Sequence, residues 1–252
     1  MLNQFSRTQL LLGPEALETL AHAHVIVFGI GGAGGNAAEA LARAGVGALD
    51  LVDDDTVGVT NINRQAVATL RAVGHPKVEA MAERIADINP ECEVTCHRCF
   101  YLPATADRFD LSEYDYVLDC VDTVTAKLYL VQQAQAAGTR VISAMGAANK
   151  LDPTQFKVAD IYDTSICPLA RIIRKECHKR HIPGFKTVYS TEPAMQPRGT
   201  LTEEAAADSV PQVEVERPPA GRRSIPGSVS WVPPVAGLIM AGEVVKDLVG
   251  IH

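Results

Sequence analysis

Apolar and polar positions fall into two alternating kinds of block over the first 150 residues. Short apolar runs at Val25–Phe28, at Leu49–Val52, within Tyr114–Asp122 around Val117 and Leu118, and at Arg140–Ala144 read as buried parallel strands. Between them, apolar residues recur every three or four positions, the period of an amphipathic helix. These helices are Asn36–Arg43, Lys77–Ile88 with Val78, Met81, Ala82, Ile85 and Ile88 on one face, and Ala126–Ala137 closed by Gly138. Strand followed by helix, repeated, predicts an α/β fold: a doubly wound, mostly parallel sheet with a Rossmann-like half.

The flanks read differently. Arg7–Leu20 is a helical preface, with Leu10, Leu11, Leu12, Leu17 and Leu20 available for packing. Thr191–Gly227 is rich in Pro, Gly and charge, including Glu203, Glu204, Asp208, Glu214 and Glu216, and reads as a long mobile loop near a site. Val229–Pro234 predicts a last strand. Val235–Gly250 predicts a helix with Leu238, Ile239, Val245, Leu248 and Val249 inward and Glu243, Lys246 and Asp247 outward. The expected organisation is one unit over residues 1–252, with a nucleotide-binding core at 24–150 and a substrate side at 151–252.

Charge narrows the function. A formal net charge of −7 excludes whole-molecule attraction to nucleic acid, so such a role needs a local basic patch. One stretch supplies it: Arg171, Arg174, Lys175, Lys179, Arg180 and Lys186, with His178 and His181 among them and Glu176 the sole acid from Arg171 to Lys186. It reads as a solvated helix face or as a contact for a phosphate backbone. No apolar run reaches the roughly 18 residues that span a bilayer, and the start lacks a basic segment followed by an apolar core. A cytoplasmic protein with six reduced cysteines is expected. Cys92, Cys96 and Cys99 have a spacing that invites a metal, but strand alternation puts Cys96 and Cys99 on opposite sides, so structural cysteines are expected.

The chemistry concentrates where strands end. Gly29, Gly31 and Gly34 fit G-x-G-x-x-G directly after a strand and before a helix, with Gly32 between them. Glycines there let backbone N–H groups approach a phosphate at the helix N-terminus. Asp53, roughly 20 residues on, is placed for ribose hydroxyls. The loop alone leaves open whether the ligand is a dinucleotide or ATP. Asp53, Asp54 and Asp55 in a row need cations, ribose or solvent. Asn61 and Arg64 share one side of a turn, and arginine suits forked contacts to phosphate. Lys77, at a helix start, is either a surface charge or the partner of a nearby anion. Asp119 and Asp122 end a strand at the sheet edge, where a carboxylate can hold Mg²⁺ on nucleotide phosphates. Lys127 beyond them reads as a helix surface charge, and so does Arg7.

Together these motifs resemble the ubiquitin-activating-like adenylating family, which includes the ThiF and MoeB enzymes. The marks are Gly29-x-Gly31-Gly32-x-Gly34, Asp53-x-Asp55-x-Val57, Asn61-x-x-Arg64-Gln65, Pro76-Lys77-Val78-Glu79 and Asp119-Cys120-x-Asp122. The resemblance implies ATP with Mg²⁺ and a carboxylate activated as an acyl-adenylate. It implies that Asp53 binds ribose, that Asp55 belongs to the nucleotide site, that Asn61, Arg64 and Lys77 hold phosphates, and that Asp122 serves the metal and is essential. It also implies a homodimer in which the partner's N-terminal segment donates an arginine, for which Arg7 is the candidate. Within the family the chain is most similar to the dehydratases that act on threonylcarbamoyladenosine in tRNA, through FSRTQLLLG, DDDTVGVTNINRQ, INPEC, SAMGAANKLDPTQFKVADI, the basic helix and PPVAGLIMAGEVVKDL. That similarity implies ATP-dependent cyclisation of the threonylcarbamoyl group beside the anticodon, with tRNA on Arg171, Arg174, Lys175, Lys179 and Arg180. The alternative is an adenylyltransferase for the C-terminal glycine of a small ubiquitin-like or sulfur-carrier protein. No paired C-x-x-C follows late in the chain, so no structural zinc is expected, and Thr191–Gly227 has no cysteine for a thioester or a sulfur-relay partner.

Overall fold

A computed structural model describes residues 2–199 and 226–251. Its centre is a seven-stranded sheet: β1 (His24–Phe28), β2 (Ala48–Val52), β3 (Glu93–His97), β4 (Tyr116–Asp119), β5 (Arg140–Ala144), β6 (Phe156–Asp160) and β7 (Lys186–Ser190). The order is β3-β2-β1-β4-β5-β7-β6, parallel except for the edge pair β6–β7. The chain winds outward from β1 in one direction, then resumes on its other side at β4. That makes the carboxyl ends of β1 and β4 the switch point of the topology, where α/β sheets leave a crevice.

Alternate residues of β1 feed two cores. Val25 and Val27 join Leu49, Leu51 and Leu118 on one face. That face is covered by α2 (Pro14–His22), α3 (Gly34–Ala44), α4 (Lys77–Ile88) and the last helix, α7 (Pro233–Leu248). Ile26 and Phe28 join Val117 and Val141 on the other, under α5 (Val124–Ala137) and α6 (Pro168–Arg180). Cys96 lies toward the α4 backbone while Cys99, in a bend past the end of β3, is buried in the opposite core. The second face also holds a polar cluster: the Asp50 carboxylate accepts from His24 Nε2 at 2.8 Å, His97 Nε2 at 2.7 Å and Tyr114 Oη at 2.9 Å.

The flanks depart from expectation in several places. The helical preface is two helices, α1 (Ser6–Leu12) and α2, broken at Gly13, whose φ of +88° turns the chain before Pro14 opens the next helix. α1 buries no residue, and Leu10 and Leu11 are 88% and 84% exposed rather than packed. Val229–Pro234 is not a strand. It is extended chain and a turn into α7, because Pro233 and Pro234 lack the N–H a ladder needs and suit a helix's first turn. β6 and β7 were not anticipated, since β6 is a half-exposed edge strand without a full apolar run.

The inward face of α7 is Ala236, Gly237, Met240, Ala241 and Val244, and Leu238 is exposed. Small residues set this rotation. A Cβ on Gly237 would stand 2.1 Å from the Ala33 carbonyl oxygen, so α7 and α3 meet backbone to backbone. Asp247, expected outward, is half-buried and accepts from the Tyr116 hydroxyl at 2.7 Å and from Lys186. Glu243 shares that lysine at 3.2 Å.

Most of the Thr191–Gly227 segment lies outside the described residues, but both of its stems meet one residue. Asn149, at φ +59°, accepts from Met195 N at 2.7 Å through its carbonyl oxygen and from Gly227 N at 2.6 Å through Oδ1, and it donates its own N–H to Gly227 O at 2.8 Å. Asparagine tolerates this left-handed backbone.

No described helix is long and apolar enough to cross a membrane.

Candidate active site

The residues from β1 and β4 meet at the switch point. Gly29 has φ +89°, and a Cβ there would lie 2.7 Å from the Cys120 carbonyl oxygen. A Cβ on Gly34 would sit 1.8 Å from Gly29 O, and one on Gly32 2.8 Å from Pro233 Cβ. The fold itself demands these three glycines. Gly31 differs: beyond its two chain neighbours, a Cβ on it would meet no atom of the described residues within 4 Å. Packing does not require glycine at that position. A bare backbone at the start of α3, where N–H groups and the helix dipole point outward, fits an approaching phosphate.

Asp53, just past β2, pins this loop. Its Oδ2 accepts from Ile30 N at 2.6 Å and its Oδ1 from Asp55 N at 2.9 Å. Burial pushes the Asp53 carboxyl above the ordinary carboxylate range, against the pull of the Lys77 ammonium 3.8 Å away. Carboxylate oxygens of Asp53, Asp54 and Asp55 lie within 4.8 Å of one another. Lys77, the first residue of α4, is 5% exposed and donates to Asp55 Oδ2 at 2.7 Å. The sequence left Lys77 between a surface charge and the partner of an anion; its geometry is the second, and the anion is the acidic run.

Asn61 and Arg64 flank the loop. Asn61 Oδ1 accepts from Gly58 N at 3.1 Å. The Arg64 guanidinium donates to Thr60 O and Asn63 Oδ1, both at 2.9 Å, and its Cγ lies 3.6 Å from the Cβ position of Gly32. Asp122 is exposed, on the turn between β4 and α5 whose backbone abuts Gly29. The fold thus brings together the glycine loop, Asp53, Asp55, Asn61, Arg64, Lys77 and the turn that carries Asp122. The Arg64 side chain packs at Gly32 of the loop, the Lys77 ammonium is paired with Asp53 and Asp55, and Asp122 is exposed on the neighbouring turn.

Two sequence-predicted groups stand apart. Arg7 is exposed on α1, near Phe5, whose ring reaches Gly45 at the far end of α3, about 16 Å along that helix from the glycine loop. The basic residues of α6 divide. Arg171, Lys175 and Lys179 are exposed, whereas Arg174 is half-buried and donates to Thr164 O at 2.7 Å and Thr164 Oγ1 at 2.6 Å. Arg180 is 3.3 Å from Glu176, one turn earlier. α6 starts beside the site, with Leu169 Cβ 3.9 Å from the Cβ position of Gly146, just past β5.

The surroundings of three residues escaped the sequence reading. Lys127, expected on the surface, is 1% exposed and paired with Asp119. Its spacing from Val131 and Ala134 on the buried stripe of α5 was the available signal. Gln65 is 7% exposed, and its Oε1 has no hydrogen-bond partner among the described residues. Trp231, at the turn into α7, is half-exposed beside the loop and carried no pattern that singled it out.

Comparison with known proteins agrees with this architecture. The tRNA threonylcarbamoyladenosine dehydratase of Bacillus subtilis (strain 168) is 45% identical over 249 residues, covering 98% of this chain and 95% of the relative. The protein of the same name from Escherichia coli (strain K12) is 40% identical over 207 residues, 79% of this chain and 77% of the relative. The crystal structure of E. coli tRNA N6-threonylcarbamoyladenosine dehydratase, TcdA, in complex with ATP superposes with a TM-score of 0.84 at 33% identity, covering 98% of this chain and 94% of that one. The ThiF family model matches residues 5–252, and the chain belongs to the ThiF family.

Proposed function

We propose that the protein is an ATP-dependent tRNA threonylcarbamoyladenosine dehydratase, which cyclises the threonylcarbamoyl group of the modified adenosine beside the anticodon. The observation that carries this reading is the 45% identity to a dehydratase over 98% of the chain. The bare backbone at Gly31 and the cations around it fit ATP. In this reading residues 24–150 supply the nucleotide half and residues 151–252 the RNA side.

ATP lies with its phosphates on Gly29–Gly34, its ribose at Asp53, and Asp55 and Asn61 lining the site. The threonyl carboxylate attacks the α-phosphorus and pyrophosphate leaves. The neighbouring carbamoyl group then attacks the activated carbonyl, AMP leaves, and the lost water's oxygen departs with AMP. Tethering both groups on one side chain gives ring closure a large effective molarity. Arg64 and Lys77 offset the negative charge that builds on the phosphates in the first step. Asp122 would hold Mg²⁺, which adds charge compensation on the phosphates. No protein nucleophile is needed.

The second copy of a homodimer completes the site with its Arg7. Support comes from the placement of α1, which buries none of its own residues, exposes Leu10 and Leu11, and carries Arg7 away from its own glycine loop. Arg171, Lys175, Lys179 and Arg180 are the exposed cations of α6 for the tRNA backbone.

The test is mass spectrometry of nucleosides from threonylcarbamoylated tRNA incubated with the pure protein and ATP–Mg²⁺. The expected result is the ATP-dependent loss of one water from the modified adenosine. An unchanged nucleoside with ATP consumed against another carboxylate would overturn the assignment.

A further inference from the structure

Trp231 is the chain's single tryptophan. It is 50% exposed, and it is the one aromatic among the exposed large apolar side chains of the described residues. A half-exposed indole leaves much apolar area in water, and such rings concentrate where a partner will cover them. This ring is also anchored: its Nε1–H donates to the Leu151 carbonyl oxygen at 2.7 Å. One edge is thereby held while half of the residue stays exposed.

Its position is at the rim of the phosphate loop. Two residues on, Pro233 Cβ lies 2.8 Å from the Cβ position of Gly32. Two residues reach at most ~7 Å. Three residues earlier, Ser228 O accepts from Asn63 Nδ2 at 3.0 Å, next to Arg64. The stem that carries the indole is thus tied to the glycine loop on one side and to the Asn61–Arg64 turn on the other.

We propose that the Trp231 indole is the stacking platform for a nucleobase of the RNA substrate. The proposal rests on the dehydratase reading above. In that reaction the carboxylate hangs from N6 of an adenine in a single-stranded loop, so the base must come to the rim of the nucleotide site. Proteins that read or modify such bases splay them out and stack them on aromatic rings. An anchored, half-exposed indole at that rim is the surface for it, while the cations of α6 take the backbone.

The single tryptophan makes its fluorescence a one-site probe. A synthetic anticodon stem–loop RNA carrying threonylcarbamoyladenosine and a terminal dye is titrated against the intact protein, with dye anisotropy and indole emission read together. The expected result is indole quenching that saturates with the anisotropy and is absent with ATP–Mg²⁺ alone. Trp231→Ala is expected to raise the KM for the RNA about tenfold, the scale of one lost base–aromatic stack, with the KM for ATP unchanged. Trp231→Phe is expected to restore most of that loss, which a merely structural role at the turn does not explain. Saturating anisotropy with unchanged indole emission would overturn the proposal and leave the dehydratase reading standing. An RNA that never binds would overturn both. An emission shift on diluting the protein without RNA would assign the indole to a contact between copies and overturn the proposal.

Discussion

The ammonium of Lys127 lies 3.0 Å from Asp119 Oδ2, with the two residues 1% and 0% exposed. The Ser143 hydroxyl donates to the same oxygen at 2.5 Å, and Asp119 Oδ1 accepts from Val121 N at 3.3 Å. A buried pair thus sits under the turn that carries Asp122. Breaking it from one side leaves a buried carboxylate without its counter-charge, so Lys127→Met should cost about 3–5 kcal/mol. Replacing both partners, Asp119→Asn with Lys127→Met, should recover most of that loss. Urea denaturation of the three proteins checks it, and a silent single variant would show that the pair does not hold the turn.

The glycines of the loop should separate by what confines them. Gly34→Ala should fail to fold or melt far below the parent, because the new Cβ falls 1.8 Å from a carbonyl oxygen. Gly31→Ala should melt within about two degrees of the parent, as a change whose new methyl group meets no neighbour does. It should nonetheless bind ATP more weakly, because the methyl group stands where the phosphates approach. Melting curves and calorimetric ATP titration on each variant read this directly.

Asp50 makes stability depend on acid. Burial alone would raise its carboxyl, but hydrogen bonds from His24, His97 and Tyr114 and the charge of His24 together hold it below its ordinary value. With the folded value depressed, the unfolded chain takes up the proton first. The contribution is complete above about pH 4, the unfolded aspartate range, and fades as pH falls through the lower folded value. Asp50→Asn should therefore flatten the loss of unfolding free energy between neutral pH and pH values below that range. Equal slopes for parent and variant would show that Asp50 does not couple folding to protons.

The dimer proposal has a complementation test. Arg7→Ala and Asp122→Ala should each lose AMP formation by about a hundredfold or more, the scale of removing one charge-stabilising group, with melting curves intact. Mixed and allowed to exchange subunits, the two inactive proteins should regain activity, since one site of each hybrid then has both residues. Mixtures as inactive as their parts would rule out donation between copies.

What the sequence made legible were elements with one strong period. Helix α4 was expected over the same residues it occupies, because Val78, Met81 and Ile85 keep a full helical stripe between Pro76 and Asn89. Strand β5 was likewise bounded correctly, between Gly138 and Gly146. Position of the glycine loop and its acids also followed from local order. The rest depends on partners far along the chain. β6 exists because β7 offers it an edge thirty residues later, and nothing within Phe156–Asp160 announces that pairing. The face that α7 turns inward is chosen by Ala33, just before α3, which rewards Gly237 over Leu238. Lys127 looked exposed because lysine usually is, and only Asp119 in the same pocket reverses that preference.

Asn149 holds Met195 and Gly227 at one point, so the residues that separate those two in sequence start and finish at one place on the body. The cost of closing such a segment grows only with the logarithm of its length, about 0.6 kcal/mol per doubling. The sheet is indifferent to how many residues the segment contains. An affinity handle or a whole reporter domain spliced between residues 200 and 225 should therefore leave the nucleotide half folded and able to bind ATP.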